Sequence, residues 1–220
     1  KVWIEDPSCG EGIILRDSMD LSQSGMHHLH FQGAWGIPFY VQLVNQYKFA
    51  ALILDGASPT LEEMTFENIA TSSVLATNLA QPIFLGGDYI AGNDVDNDVA
   101  GQSVQVYGGG TPISPMIFRD SHFQSTNNGC GQRDGGRSAI WASETFIRIE
   151  DSAVISGDYG FSIRSSAGVV SNVTFNVNCN GIDVYGAKSV GGAKYTVEIE
   201  NNLIETIEGA GITGYDNALV

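Results

Sequence analysis

The sequence predicts an all-β repeat protein whose short strands stack as successive coils of one solenoid. Two short motifs alternate along the chain, and the apolar and polar residues within them alternate with the period of two that is typical of strands. No stretch has a convincing helical period. Asn, Gly, Asp and Ser between the motifs supply sharp turns. Because a unit made only of strands cannot bury its apolar face alone, we expect the units to stack around a common core.

The first motif reads turn residue, apolar, any residue, apolar or Gly, then Tyr or Arg. Its clear members are GIILR (12–16), GIPFY (36–40), SVQVY (103–107), GFSIR (160–164), GIDVY (181–185) and GITGY (211–215), and its looser members are SVLAT (73–77) and RSAIW (137–141). Successive members begin 21 to 37 residues apart. Eight units of roughly 27 residues therefore fill the chain, which is a period typical of repeat architectures.

The second motif lies between members of the first. It reads apolar, two residues, a small or apolar residue, one residue, apolar, as in MHHLHF (26–31), LEEMTF (61–66), FRDSHF (118–123), IEDSAV (149–154), VVSNVTF (169–175, from Val170) and IENNLI (199–204). Each unit is thus expected to contain two or three short strands joined by sharp turns.

The pattern I-x-N-N-x-I followed by G-I-x-V, seen best in residues 146–216, resembles the right-handed parallel β-helix family, the pectin-lyase-like superfamily. This scaffold is shared by many pectin-processing enzymes, phage tailspikes and cell-surface proteins. The resemblance implies a single all-β domain over residues 1–220, a right-handed parallel β-helix (a single-stranded solenoid) of about eight coils. In residues 67–102 the pattern is degenerate.

Composition and charge exclude several classes of partner. Ten basic residues against twenty-five acidic ones leave a formal charge of −15, which repels phosphate backbones and anionic membrane surfaces, so no nucleic-acid partner is expected. The longest apolar run, FAALIL (49–54), is far shorter than the ~20 residues that span a bilayer, so no membrane insertion is expected. The chain begins KVWIEDPSCG and ends YDNALV, which we interpret as a piece of a longer secreted or surface-attached protein.

The residue that follows the two apolar positions of the first motif is expected to face outward. In stacked coils these residues form one column: Arg16, Tyr40, Thr77, Tyr107, Trp141, Arg164, Tyr185 and Tyr215. With coils about 4.8 Å apart, the column is a ribbon of flat side chains with hydrogen-bonding edges. Aromatic faces suit sugar rings, and Arg donors match hydroxyl or carboxylate groups. All members except Thr77 are therefore candidate ligand-binding residues for a polysaccharide or cell-surface glycan. Alternatively, the rings only support one another across neighbouring strands.

A catalytic alternative uses the same face. NGIDVYGAKS followed by IETIEGAGITGY resembles the polygalacturonase pattern, which implies an Asp in the first tract and an Asp pair in the second. Asp183 matches the first position, but Gly209 and Ala210 stand where the pair is expected, and no Gly-His-Gly follows. A polysaccharide lyase would instead need a base beside a cation, for which Arg164 and Lys188 are weak candidates. The rival hypothesis is thus a lyase or glycoside hydrolase acting on an acidic polysaccharide.

One acidic loop is a candidate calcium site. Asp94, Asp96 and Asp98 have the 1, 3, 5 spacing with which a loop wraps oxygen ligands around Ca²⁺. A full EF-hand loop would have Gly at position 99 and Glu at position 105, where this chain has Val99 and Gln105, so a plain acidic surface loop is the alternative. No other cofactor is expected.

The tract HHLH (27–30) contains an H-x-H pair of the kind that can bind zinc. His28 and His30 are expected to face outward if Leu29 and Phe31 are buried. His122 occupies the slot equivalent to His30, but other coils intervene, so exposed histidines without a metal are expected.

The cysteines favour neither an oxidising nor a reducing compartment. Cys9, Cys130 and Cys179 cannot all pair with one another, and none belongs to a CxxC motif. The leading hypothesis is a non-catalytic extracellular or cell-surface module that binds glycan, or has an adhesive or structural role, through the column.

Overall fold

The computed structural model describes residues 3–4, 12–16, 25–91, 102–125, 138–156, 159–190 and 193–215. All of the named elements in these ranges are strands. In chain order they are β1 Trp3–Ile4, β2 Ile13–Arg16, β3 Gly25–His27, β4 His30–Gln32, β5 Ile37–Val41, β6 Gln46–Asp55, β7 Thr60–Ile69, β8 Ser72–Thr77, β9 Ile83–Ala91, β10 Val104–Tyr107, β11 Met116–Arg119, β12 His122–Ser125, β13 Ser138–Ser143, β14 Phe146–Glu150, β15 Ala153–Ser156, β16 Tyr159–Arg164, β17 Ala167–Ser171, β18 Thr174–Val177, β19 Ile182–Tyr185, β20 Lys188–Val190, β21 Ala193–Tyr195, β22 Val197–Glu200, β23 Leu203–Thr206 and β24 Ile212–Tyr215. Within these ranges there is no helix of the length and apolarity that crossing a membrane requires.

Two largely parallel sheets contain nearly all of these strands. Sheet A has thirteen strands with the central path β22-β17-β14-β11-β9-β12-β15-β18-β23, and sheet B has nine with the central path β2-β6-β8-β10-β13-β16-β19-β24. From β10 to β16 each strand pairs in parallel with the strand three positions further on, as β13 does with β16 and β16 with β19. After the small antiparallel pair β20–β21, the partners of β17, β18 and β19 are β22, β23 and β24. Each repeat therefore contributes two strands to sheet A and one to sheet B. The predicted all-β class and parallel pairing are confirmed.

The second sequence motif forms a corner in sheet A, between two strands in most repeats and within one continuous strand in β7 and β9. At this corner each repeat places one residue in the left-handed region, with φ between 49° and 66°: His28, Glu63, Gly86, Asp120, Asp151, Asn172 and Asn201. Asn, Asp and Gly are the residues that adopt this conformation most readily. The motif has a small residue directly after this position. In two repeats it is a serine whose hydroxyl donates to the carbonyl two residues earlier, from Ser121 at 2.9 Å and from Ser152 at 2.7 Å.

The structure supplies the repeat that the sequence pattern did not show in residues 67–102. Strand β9 passes through the same corner, with Phe84 opposite Phe118 and Tyr89 opposite Phe123. Gly86 and Gly87 occupy the turn and the small-residue position. The tract GGDYIAG is therefore a degenerate second motif, and it was hard to recognise because glycines replace its usual polar turn residues.

Aromatic side chains stack inside the core, along the direction in which the parallel strands pair. The rings of Phe31, Phe66, Tyr89 and Phe123 follow one another with centroid distances of 4.6, 5.4 and 5.3 Å. All four are essentially inaccessible to solvent. Full burial of one large apolar side chain is worth about 1.5–3 kcal/mol, so the inward positions of the parallel strands are the main source of cohesion between repeats.

One segment departs from the parallel pattern. Strand β5 pairs antiparallel with the first half of β6, from Ile37 opposite Ala50 to Val41 opposite Gln46. Its apolar face packs against a second buried cluster on the outer face of sheet B, which includes Ile53, Leu75 and Tyr107. The hairpin of residues 37–50 thus forms an extra layer over the first repeats. The prediction that GIPFY (36–40) belongs to the stacked column is wrong.

Candidate functional site

The outward column of sheet B differs from the predicted one at two positions. Register pairs place the following residues in line: Arg16, Asp55, Thr77, Tyr107, Ser143, Arg164, Tyr185 and Tyr215. Asp55 takes the place assigned to Tyr40, because Tyr40 belongs to the antiparallel hairpin. Ser143 takes the place assigned to Trp141, which lies opposite Gln105 and Ser162 instead. Trp141 still faces outward, because it lies two residues before Ser143 and residues two apart on a strand are on the same face.

Four residues of this face are stacked one above another. The Cζ atom of Arg164 lies 4.3 Å from the ring centroid of Trp141 and 4.5 Å from that of Tyr185. Tyr185 stacks in turn on Tyr215, with 4.4 Å between centroids and 9° between planes. We call Trp141, Arg164, Tyr185 and Tyr215 the outer stack. Its spacing is close to the ~4.8 Å between neighbouring strands, so the flat groups lie along the direction in which the repeats stack.

This geometry determines what the outer stack can offer to a ligand. Arg164 and Tyr185 are covered on both faces by their neighbours, so their edges, and not their faces, are available to a ligand. Cation–π contacts are worth about 0.5–2 kcal/mol and aromatic pairs about 0.5–1.5 kcal/mol. The outer stack therefore joins neighbouring repeats, as the alternative interpretation of the column expected, and presents a line of polar edges.

Two polar atoms of the outer stack lack a protein partner. Trp141 Nε1 and Arg164 Nε are buried atoms without a hydrogen bond within the described ranges. The Arg164 guanidinium also forms no ion pair with the carboxylates that the structure describes. An unsatisfied buried donor costs about 1–3 kcal/mol, so such donors are usually satisfied by water or by a ligand.

Two of the predicted binding residues at the start of the column are already buried or paired within the protein, unlike Arg164. Tyr107 is buried under the hairpin, and its hydroxyl donates to Gln105 Oε1 at 3.0 Å. Arg16 is exposed but pairs with Asp55, with 3.6 Å between Nε and Oδ2. Lys48 lies 5.8 Å from the centroid of the Tyr107 ring, and desolvation lowers its pKa. Within the described ranges, the part of the column that is accessible and not ion-paired is therefore its second half.

Asp183 lies two residues before Tyr185 on the same face of β19, opposite Ser162 and Thr213, and is 2% exposed. Asn180 Nδ2 donates to its Oδ1 at 2.9 Å, and Asn180 Oδ1 accepts from the amide of Ala210 at 2.8 Å. Burial raises the pKa of Asp183, while the hydrogen bond from Asn180 and the charge of Arg164 act in the opposite direction. Burial also raises the pKa of Tyr185 to about 12, and the charge of Asp183 adds to this effect.

Lys188 is bound to Glu144. Its Nζ donates to the carbonyl of Glu144 and to Glu144 Oε2, both at 2.7 Å. The pair lines a groove of about 570 Å³ together with Leu79, Phe146 and Val190, and Asp183 is not among the lining residues. The three weak catalytic candidates are thus not assembled at one point: Asp183 is buried, Arg164 is held between rings and Lys188 is paired with Glu144.

The histidines pair with glutamates of the next strand. His27, His28 and His30 approach Glu62, Glu63 and Glu67 at 2.6, 2.7 and 3.4 Å. His28 is exposed, as predicted, whereas His30 is largely covered. The equivalence of His30 and His122 is confirmed by the register through Thr65 and Asp88.

Metal binding has limited support in this structure. Within the ranges described above, no group of three or more His, Cys, Asp or Glu side chains is arranged to hold a metal ion. Asp94, Asp96 and Asp98 lie outside the described residues, so the calcium site stays a prediction. A melting temperature unchanged by EDTA would exclude it.

Comparison of the chain with protein-family models, with curated proteins and with solved structures found no match.

Sequence reasoning missed three features of this face. Asp55 and Ser143 escaped notice because neither fits a motif that ends in Tyr or Arg. The hairpin was missed because GIPFY alternates like the other members. The tract LVNQ (43–46), with two polar residues after an apolar run, was the available sign of a tight turn.

Proposed function

We propose that the chain is a right-handed parallel β-helix related to the pectin-lyase-like superfamily. Two observations support this proposal: the strands from β10 to β16 pair in parallel with the strand three positions further on, and left-handed residues recur at the same corner of each repeat. Parallel strands of one sheet that are joined by a crossover are right-handed in about 98% of cases.

We further propose that the protein is a non-catalytic extracellular or cell-surface module that binds glycan along the outer face of sheet B. The observation that carries the proposal is Arg164, which is partly exposed, oriented by Trp141 and Tyr185, and not ion-paired within the described ranges. A guanidinium held in this way donates in one plane, which suits the hydroxyl pairs or the carboxylate of a sugar.

The same geometry argues against the catalytic alternative. Glycoside hydrolysis uses two carboxylic acids that flank the scissile bond, and Gly209 and Ala210 stand where partners of Asp183 were expected. Lys188 donates to Glu144, so it is not poised as a base beside Arg164. A rigid binding surface requires none of these groups to react.

An extracellular location is supported by one covalent feature. Cys179 is buried and disulfide-bonded. Disulfides persist in oxidising compartments and are rare in the cytosol. The other two cysteines, Cys9 and Cys130, lie outside the described residues.

A glycan array with matched variants tests the binding proposal. We expect Arg164→Gln to lower binding about tenfold or more, whereas Arg148→Gln, which changes an exposed arginine of sheet A, leaves binding unchanged. The bound glycan is then incubated with the protein and assayed for new reducing ends and for unsaturated products. Equal binding by the two variants, binding to no glycan, or formation of products would each overturn the proposal.

A further inference from the structure

The hairpin of residues 37–50 has a composition unlike the rest of the chain. Residues 33–54 contain one charged residue, Lys48, although 16% of the whole chain is charged. Lys48 lies over the Tyr107 ring on the inner side of the hairpin. The outer side of the hairpin is therefore an uncharged surface on a strongly acidic protein.

The register of the hairpin sorts its side chains between two faces. Pro38 lies opposite Phe49, and Tyr40 lies opposite Tyr47. Residues directly opposite in an antiparallel pair are on the same face. Ile37, Phe39 and Val41 occupy the other face, which packs on sheet B. We call Pro38, Tyr40, Tyr47 and Phe49 the hairpin platform.

The rings of the hairpin platform are open to solvent. Tyr47 is 66% exposed and Tyr40 is 45% exposed. Their centroids are 5.3 Å apart with 62° between the ring planes, an edge-to-face contact that leaves ring surface uncovered. In this respect the hairpin platform differs from the outer stack, in which neighbours cover the faces.

Polar amides lie beside these rings. The hydroxyl of Tyr40 donates to Asn45 Oδ1, and Gln42, two residues after Tyr40 on the same face, is exposed. Amide groups both donate and accept, and they carry no charge. An open aromatic face with uncharged hydrogen-bonding groups beside it matches a sugar ring, which has an apolar CH face and a rim of hydroxyls.

We propose that the hairpin platform is a second binding site, specific for a neutral polysaccharide chain. The platform has no cation that could form an ion pair with a carboxylate, and the formal charge of −15 repels anions, so the site does not favour acidic sugars. A proline-rich peptide fits less well, because a proline ring between two aromatic rings needs about 7 Å between their centroids. The separation of Tyr40 and Tyr47 is 5.3 Å. This site goes beyond the proposed function of the outer stack, since it uses different residues and, unlike Arg164, offers no charged donor.

Affinity electrophoresis in gels that contain hydroxyethylcellulose or galactomannan tests the site. We expect the wild-type protein to be retarded, and Tyr47→Ala to weaken the retardation about tenfold or more. Tyr47→Phe keeps the ring and retains most of the binding. Ile155→Ala, which removes another exposed apolar side chain, on β15 of sheet A, is the matched control and has no effect.

The variants also separate this inference from the proposal for the outer stack. Arg164→Gln leaves the Tyr47-dependent part of the retardation by the neutral polysaccharides unchanged, and Tyr47→Ala leaves binding at the outer stack unchanged. The inference is overturned if neither neutral polysaccharide retards the protein, if Tyr47→Ala behaves as wild type, or if a polyproline peptide binds the platform and the polysaccharides do not.

Discussion

The guanidinium of Arg164 contacts the ring of Trp141 although the two residues are not opposite each other in sheet B. Ser143 lies opposite Arg164, and Trp141 lies two residues before Ser143 on the same face of β13. The small Ser143 side chain leaves space that the large Trp141 ring fills from the side. The contact of 4.3 Å is therefore diagonal across the two strands.

The position of Arg164 between the rings of Trp141 and Tyr185 predicts that Lys cannot replace it without a loss of stability. Arg164→Lys should lower the free energy of unfolding by about 1 kcal/mol, because a compact ammonium stacks poorly between two rings. Urea denaturation measures the change. The control is Arg148→Lys, whose partner Glu150 is also bound by Arg119 at 2.8 Å. Equal effects of the two substitutions would mean that the stacking contributes nothing.

Two buried tyrosines should respond in opposite directions when their hydroxyls are removed. The Tyr89 hydroxyl is buried without a hydrogen bond within the described ranges, and burial raises its pKa strongly. Tyr89→Phe should therefore stabilise the protein by about 1 kcal/mol. Tyr107→Phe should destabilise it by a similar amount, because Gln105 Oε1 loses its donor. Thermal unfolding of both variants checks this, and a loss of stability in Tyr89→Phe would contradict it.

The buried carboxyl of Asp183 predicts a pH-dependent difference between the wild type and Asp183→Asn. Desolvation raises the pKa of Asp183 above its ordinary value of 3.8, so ionisation is harder in the folded protein than in the unfolded chain. The penalty is absent below pH 3.8, grows as the pH rises, and is complete once the folded-state pKa is passed. We expect Asp183→Asn to be more stable than the wild type at pH 7 and to lose this advantage on acidification.

Denaturation curves of both proteins from pH 3 to pH 8 measure this difference. Asp151→Asn, at an exposed corner carboxyl, is the control and should show no such advantage at neutral pH. If Asp183→Asn is less stable than the wild type throughout, the charge of Asp183 must instead be stabilised, with Arg164 as the candidate partner.

The state of Cys179 predicts the outcome of peptide mapping. In protein prepared without reductant, the peptide that contains Cys179 should be found cross-linked to a second cysteine peptide, because this residue is disulfide-bonded. Mass spectrometry of the digest identifies whether Cys9 or Cys130 is the partner. A free thiol at Cys179 in protein secreted from cells would contradict the prediction and weaken the case for an extracellular location.

Much of the fold could be predicted because it follows from local patterns. Alternation of apolar and polar residues in tracts such as GIDVY predicts strands. Asp151, Asn172 and Asn201 predict corners, because Asn and Asp adopt the left-handed conformation more readily than most residues. The repeat at Gly86 was missed because glycine allows the same corner without the polar signal.

The candidate site was predictable only in part. Alternation correctly placed Arg164, Tyr185 and Tyr215 in one column. It could not show that Trp141 is two residues out of line, because a shift of two preserves the facing of every side chain. It also could not exclude Tyr40 from the column, because side chains alternate with the same period of two in parallel and in antiparallel strands.

The sequence by itself determined the all-β class, the repeat and the excess of acidic residues, because these depend on composition and on periodicity along the chain. The tertiary structure alone decided which side chains meet. Register put Ser143 beside Arg164, and antiparallel pairing turned residues 37–50 into a cover over Tyr107. Contacts between repeats depend on pairing over more than twenty residues of sequence, and no local pattern encodes that pairing.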